Sequence, residues 1–124
     1  MRVLLVDDEV GFVSTLTERL VMRGMVAEYA SSSEEAIQRI QDNSYDLVVL
    51  DVKMPGVSGL ALKKELLNIN PELTFIFLTG YCSDNVIDEI CQDANGNIFL
   101  VKPVEINELI KVMNQVFPIE RENT

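Results

Sequence analysis

The sequence predicts a doubly wound α/β domain with a five-stranded parallel sheet over residues 1–118, followed by a polar tail at 119–124 that is too short to fold independently. Five short apolar runs alternate with longer segments of helical periodicity, and several runs are apolar at nearly every residue, as in strands that are covered on both faces. The longer segments can supply the crossover helices that parallel strands require. With 124 residues, 48% of them hydrophobic, the chain can bury the core of one such domain.

The five apolar runs have the length and composition of strands, and they lie at residues 3–6, 26–30, 47–50, 75–78 and 98–101. The strict alternation of these runs with helical segments predicts a (βα)₅ topology.

Each helical segment has its own start or stop signal. The first has apolar residues at helical spacing and a stop signal at Gly24, and the second opens at the serine run 31–33 with an acidic residue in capping-box register. The third begins at Ser58, and the fourth spans about 83–93. The fifth carries apolar residues on one face and ends before Pro118.

The composition excludes several classes of function. Ten basic and twenty acidic residues give a net charge of −10, which disfavours binding to nucleic acid or to an anionic membrane. No apolar run reaches the ~20 residues of a membrane span, and the N-terminus lacks a signal-peptide pattern, so a cytoplasmic protein is expected. Cys82 and Cys91 lack the spacing of a zinc site, and the absence of histidine removes Ser-His-Asp and Cys-His catalysis.

Polar side chains follow four of the predicted strands at their carboxyl ends, where open parallel sheets bind ligands. They belong to Asp7, Asp8, Asp51, Thr79 and Lys102. Each alone has an ordinary structural explanation, such as the start of a turn or the first turn of a helix. Together, three carboxylates repel one another by ~4 kcal/mol per pair at ~4 Å, so positive charge must lie among them. Lys102 supplies one charge, and Mg²⁺, which prefers oxygen ligands and retains sites for water and phosphate, is predicted to supply the rest.

These residue types are the parts that phosphoryl transfer needs. Asp51 is predicted to be the nucleophile that forms an acyl phosphate. The hydroxyl of Thr79 and the ammonium of Lys102 are predicted to donate to the phosphoryl oxygens. The predicted metal ligands are Asp7, Asp8, Asp51 and the backbone carbonyl of Lys53.

Four motifs at these spacings resemble the CheY-like receiver domain of response regulators in two-component signalling. They are VLLVDDE at 3–9, LVVLDVKMPGVSG at 47–59, FLTGY at 77–81 and FLVKP at 99–103, within a resemblance that extends from Arg2 to about Phe117. The resemblance implies a flavodoxin-like sheet of strand order 2-1-3-4-5. It also implies that Asp51 receives its phosphoryl group from a histidine kinase or a phosphotransfer protein.

The resemblance further implies how a phosphorylated domain would switch. Phe99 would be a switch aromatic that rotates inward as Thr79 moves. The alternative that it is an ordinary core residue of its strand stays open. The peptide bond between Lys102 and Pro103 is expected to be cis. The response would reach partners through the switch surface, by which we mean the fourth predicted helix, the fifth strand and the fifth helix.

Two positions that vary within the receiver-domain family are occupied here by Lys53 and Tyr81. We hypothesise that both side chains hinder the hydrolytic water and so lengthen the lifetime of the phosphate. The alternative that both lie in solvent on the rim of the site stays open.

Other classes of protein fit parts of the pattern. A haloacid dehalogenase-like phosphatase needs a second aspartate where this chain has Lys53, and a flavin binder needs a phosphate loop where this chain has the acidic run 7–9. The chain is therefore not expected to turn over outside substrates. A binding module of the same fold that works through the switch surface without phosphorylation stays open, as do a homodimer through that surface and a separate output domain.

Overall fold

Five parallel strands form one sheet in the computed structural model, which describes residues 1–80 and 98–116. The strands of the structure are β1 (Arg2–Val6), β2 (Val26–Ala30), β3 (Leu47–Asp51), β4 (Lys53–Met54), β5 (Val57–Ser58), β6 (Thr74–Thr79) and β7 (Ile98–Val101). The sheet order is β2-β1-β3-β6-β7, which is 2-1-3-4-5 when only the strands of this sheet are counted. The predicted fold class is therefore confirmed.

Helices cover both faces of the sheet. They are α1 (Val10–Met22), α2 (Ser33–Asp42), α3 (Gly59–Ile69) and α4 (Ile106–Val116). The helix α4 is the fifth helix of the sequence prediction. The fourth helix predicted at 83–93, both cysteines and the tail at 119–124 lie outside the described residues. Among the residues that the structure describes, no helix has the length and apolar character needed to cross a bilayer.

The strand β1 shows why its run is continuously apolar. Val3 and Leu5 pack into a core with α1 and α4 on one face of the sheet, whereas Leu4 and Val6 pack into a second core with α2 and α3 on the other. All four side chains are fully buried. Side chains of a strand alternate between faces, so a strand between two helical layers must be apolar at every position.

Serine side chains begin two of the helices as their sequence signals predicted. Ser32 is the N-cap of α2 and accepts a hydrogen bond from the Glu35 backbone N–H at 3.1 Å, and Ser58 caps α3 by accepting from the Ala61 N–H at 3.1 Å. The Glu35 carboxylate accepts from the backbone N–H of Ser31, one residue before the N-cap. The first backbone N–H groups of a helix have no acceptor within it, so these contacts fix where the two helices begin.

A short antiparallel hairpin, β4 and β5, separates the end of β3 from α3, and the sequence pattern did not predict it. Gly56, with a φ of 84°, makes its turn. The hairpin brings Gly59 so close to β3 that a Cβ at this position would lie 2.6 Å from the Asp51 carbonyl oxygen. The start of α3 therefore packs directly against the strand that ends in Asp51.

Candidate acidic phosphoryl-transfer site

Strand ends bring the predicted site residues together at one edge of the sheet. Asp7 follows β1, Asp51 and Thr79 end β3 and β6, and Lys102 follows β7. Asp51 lies opposite Leu78 in the β3–β6 pair, and Leu78 is the residue before Thr79. The two strands therefore end at nearly the same level. Asp7, Asp51 and Thr79 are buried.

A carboxylate cluster forms the acidic part of the site. Asp7, Asp8 and Asp51 each offer an oxygen, and these oxygens all lie within 4.8 Å of one another. Asp7 and Asp51 are buried, whereas Asp8 is exposed. An all-oxygen set with few carboxylates fits a hard divalent cation such as Mg²⁺, which keeps several positions for water and phosphate.

Backbone N–H groups orient two of these carboxylates. Asp7 Oδ1 accepts from the backbone N–H of Glu9 at 2.9 Å, and Asp51 Oδ1 accepts from the N–H of Lys53 at 3.4 Å. Both contacts span two residues, as aspartate side chains do at turns. The turn that ends each strand therefore also aims its carboxylate into the site.

The ammonium of Lys102 lies among the carboxylates. Its Nζ is 2.6 Å from Asp7 Oδ2, 2.7 Å from Glu9 Oε1 and 3.6 Å from Asp51 Oδ2. The backbone N–H of Lys102 donates to the Thr79 carbonyl at 2.8 Å, which ties the lysine to the end of β6. The peptide bond between Lys102 and Pro103 is cis, the isomer that the resemblance implied.

Burial and neighbouring charge change the ionisation of two groups in the site. Burial, together with the negative charge of Asp7, raises the pKa of Asp51 from 3.8 to about 6, against the opposing effects of Lys102 and the Lys53 N–H. Burial lowers the pKa of Lys102, but hydrogen bonds to Asp7 and Glu9 and the charge of Asp51 outweigh burial and raise it overall. A bound dication would favour the ionised form of Asp51.

The predicted switch and rim residues occupy different surroundings. Phe99 is partly buried and stacks on Phe77, with ring centroids 5.2 Å apart and an interplanar angle of 19°. It packs against the core on the α2 and α3 face. Lys53 is exposed beside Asp51, whereas Tyr81 lies outside the described residues.

Glu9 is a member of the site whose contact the sequence pattern did not predict. Its carboxylate pairs with Lys102, which lies 93 residues later in the chain. The phenyl ring of Phe12 is also close, with its centroid 4.9 Å from the same Nζ. The acidic run at residues 7–9 was a signal for Glu9, but only the folded arrangement shows which cation it contacts.

Comparison with known proteins identifies the family. The family model described as the response regulator receiver domain matches residues 3–114. The response regulator MprA of Mycobacterium sp. (strain KMS) is 33% identical over 114 residues, which are 91% of this chain and 49% of the relative. The sensor kinase CckA of Brucella abortus is 33% identical over 116 residues, 92% of this chain and 12% of the relative. The chain thus spans about half, or less, of the length of these relatives.

Solved structures of receiver domains share the fold. The response regulator TrrA of Thermotoga maritima, in complex with Mg²⁺-BeF, is 33% identical with a TM-score of 0.77, over 94% of this chain and 98% of the other. A CheY-like receiver domain protein of Methanospirillum hungatei is 26% identical with a TM-score of 0.80, over 98% and 97% of the two chains. Together with the family match and the acidic cluster, these similarities show that the chain belongs to the response regulator receiver domains of two-component signalling.

Proposed function

We propose that Asp51 accepts a phosphoryl group in a Mg²⁺-dependent reaction. The observation that carries the proposal is the position of the buried Asp51 carboxylate, which lies within 4.8 Å of the Asp7 and Asp8 oxygens and 3.6 Å from the Lys102 ammonium. These 124 residues include no histidine, so a phosphohistidine donor lies outside them. A small acyl phosphate can serve as the donor in an experiment.

The transfer forms one bond and breaks another. A carboxylate oxygen of Asp51 bonds to phosphorus while the bond from phosphorus to the donor nitrogen or oxygen breaks, and the leaving group keeps that electron pair. The residues that would hold the metal are Asp7, Asp8, Asp51 and the backbone carbonyl of Lys53. When bound, Mg²⁺ would supply positive charge that offsets the charge of the carboxylates and of the phosphoryl oxygens.

Two further side chains would stabilise the transferred group. The Lys102 ammonium and the Thr79 hydroxyl would each donate to a phosphoryl oxygen, because Thr79 ends β6 and Lys102 follows β7 at the edge of the sheet where β3 ends. Movement of Thr79 towards the phosphoryl group would accompany an inward rotation of Phe99. In this proposal, the Phe77–Phe99 stack belongs to the state without phosphate.

The rim of the site would set the lifetime of the acyl phosphate. Lys53 follows Asp51 by two residues and is exposed, so its side chain can extend over the bound group and hinder the hydrolytic water. We propose the same role for Tyr81. The domain would then catalyse its own phosphorylation and dephosphorylation without turning over outside substrates.

The proposed partners follow from the chemistry of the donor. A histidine kinase or a phosphotransfer protein would supply phosphohistidine, and the switch surface would pass the change to a partner, to an output domain or to a second copy of the chain. The relatives named as a response regulator and a sensor kinase are both longer than this chain, which fits a module that is used within larger proteins.

Phosphorylation by acetyl phosphate tests the proposal. We expect wild type to gain one phosphoryl group in the presence of Mg²⁺ and to stay unmodified when EDTA removes the metal, as measured by intact-protein mass spectrometry. Asp51→Asn removes the nucleophile and should not be modified. Asp42→Asn, an equal change of charge at an exposed residue of α2, serves as the matched control and should be modified like wild type.

The outcome separates two classes of function. Modification of the Asp51→Asn variant at the wild-type rate would place the acceptor elsewhere. If wild type with Mg²⁺ stayed unmodified and also failed to bind beryllofluoride, the binding module that works without phosphorylation would replace the proposal.

A further inference from the structure

The Lys102 ammonium is held by the segment that joins β1 to α1. Nζ lies 2.6 Å from Asp7 Oδ2 and 2.7 Å from Glu9 Oε1, and the Phe12 ring is centred 4.9 Å away. Asp51 Oδ2 is 3.6 Å from the same nitrogen, beyond the distance of a hydrogen bond to a charged donor. The ammonium therefore lies closer to the β1 side of the site than to the acceptor on β3.

Local helix chemistry does not explain a glutamate at position 9. Glu9 is the N-cap of α1, a position where Ser, Thr, Asp and Asn are the preferred residues. Within the described residues, its side chain accepts no capping hydrogen bond from the backbone of α1. The carboxylate instead extends to Lys102, and its own side chain remains 63% exposed. In this structure the Glu9 carboxylate thus contacts Lys102 and not the start of its own helix.

We infer that Glu9 is a positioning residue that restrains Lys102 on the β1 side of the site. This restraint lowers the affinity of the unphosphorylated domain for a phosphoryl group or its analogue at Asp51. The inference rests on the proposed role of Asp51 as the phosphoacceptor. A phosphoryl group on Asp51 needs a donor on the β3 side, so the ammonium must give up contact with Glu9 to reach it. Asp7 also contacts the ammonium, but Asp7 is a proposed ligand of the metal. It would therefore oppose the movement of Lys102 less than Glu9 does.

The size of the effect follows from the exposure of the pair. An ion pair with one largely exposed partner contributes little, because water screens the charges. Release of the Glu9 contact should therefore change the affinity for a phosphoryl analogue by about twofold to fivefold. The direction is a gain in affinity, whereas disruption of local structure would reduce it.

Beryllofluoride binding at saturating Mg²⁺ tests the inference, with dissociation constants measured by isothermal titration calorimetry on the full chain. Glu9→Gln should bind about twofold to fivefold more tightly than wild type. Glu9→Asp should also bind more tightly, because the shorter side chain keeps the charge but favours the N-cap hydrogen bond over the contact with Lys102. Glu72→Gln is the matched control, an equal change of charge at an exposed residue that precedes β6 at the opposite edge of the sheet.

Each result has one meaning. Tighter binding by both Glu9 variants, with Glu72→Gln unchanged, supports the inference. Equal or weaker binding by Glu9→Gln overturns it, as does Glu9→Asp behaving like wild type or Glu72→Gln showing the same gain, since the effect would then come from charge at a distance. Wild type that binds no beryllofluoride would overturn the phosphoacceptor role of Asp51, and this inference with it; wild type that binds normally confines a failure to Glu9.

Discussion

Asp51 combines burial with a like charge nearby. Its side chain is 6% exposed, and the Asp7 carboxylate lies in the same cluster. Both effects favour the protonated acid, which is why the pKa rises from 3.8 to about 6. In the metal-free domain at neutral pH, the charge on Asp51 therefore opposes folding.

The first prediction concerns how this charge affects stability. The folded state binds a proton to Asp51 more tightly than the unfolded chain does, so its contribution to stability is present below pH ~4 and is lost as the pH rises through ~6. Asp51→Asn removes the ionisation, and we expect the metal-free variant to be more stable than wild type by roughly 3 kcal/mol at pH 7. Urea unfolding monitored by circular dichroism measures the difference.

Two conditions provide controls for this prediction. Near pH ~4 the two proteins should have similar stability, because Asp51 is then mostly protonated in the folded state. At pH ~7, added Mg²⁺ should stabilise wild type more than Asp51→Asn and narrow the gap, because the metal binds the folded protein. A wild-type protein that is the more stable one at neutral pH without metal would contradict the raised pKa.

The start of α3 positions β3. Gly59 allows the first turn of α3 to touch the backbone of Asp51, and a Cβ there would also lie 2.9 Å from the Cα of Val52. Backbone atoms cannot move aside as the end of a flexible side chain can. Glycine is therefore required at position 59 because two backbones approach each other closely. The φ of Gly59 is not positive, so backbone conformation is not the reason.

The second prediction compares two glycines at the starts of helices. Gly59→Ala should lower the free energy of unfolding by about 2 kcal/mol or more, because the new methyl group overlaps the backbone of β3. Gly11→Ala is the control: within the described part of the chain, nothing lies within 4 Å of a Cβ at this position of α1, so stability should stay the same or rise by ~0.5–1 kcal/mol.

Denaturant unfolding of both variants checks the contrast. Because the overlap involves the Asp51 carbonyl, we also expect Gly59→Ala to weaken beryllofluoride binding, whereas Gly11→Ala should bind like wild type. Equal stability of the two variants would show that α3 can shift away from β3 without cost.

The sheet separates two hydrophobic cores. Side chains of α1 and α4 form one core, which includes Val13, and side chains of α2 and α3 form the other, which includes Ile40. Both residues are almost completely buried. Their side chains share no core cluster, because the sheet lies between the two faces and its strands point alternate residues into each.

The third prediction follows from this separation. Val13→Ala should cost about 2 kcal/mol through lost burial and a small cavity, and Ile40→Val should cost ~0.5–1.5 kcal/mol. In the double variant the two losses should add to within ~0.5 kcal/mol, because the two side chains belong to separate clusters. Urea unfolding of the wild type, both single variants and the double variant measures the coupling; a coupling energy above ~1 kcal/mol would mean that strain passes through the sheet.

Hydrophobic periodicity was sufficient to predict the fold class, because it is a local property that records which faces of each element are buried. The sequence also predicted the helix starts near Ser32 and Ser58, since a capping serine is itself a local signal. Parallel strands carry their carboxyl ends to one edge, so the convergence of Asp7, Asp51 and Lys102 followed from the same pattern.

The pairing of these groups became visible only in the folded molecule. The hairpin at β4 and β5 gave no signal beyond two short runs around a turn, and the contact of Lys102 with Glu9 joins residues 93 positions apart. The pKa of Asp51 near 6 depends on distances and burial that no periodicity contains. Local patterns indicate which residues reach the edge of the sheet. The electrostatic interactions among these residues depend on the distances between their charged groups, and the packing of all the elements sets those distances.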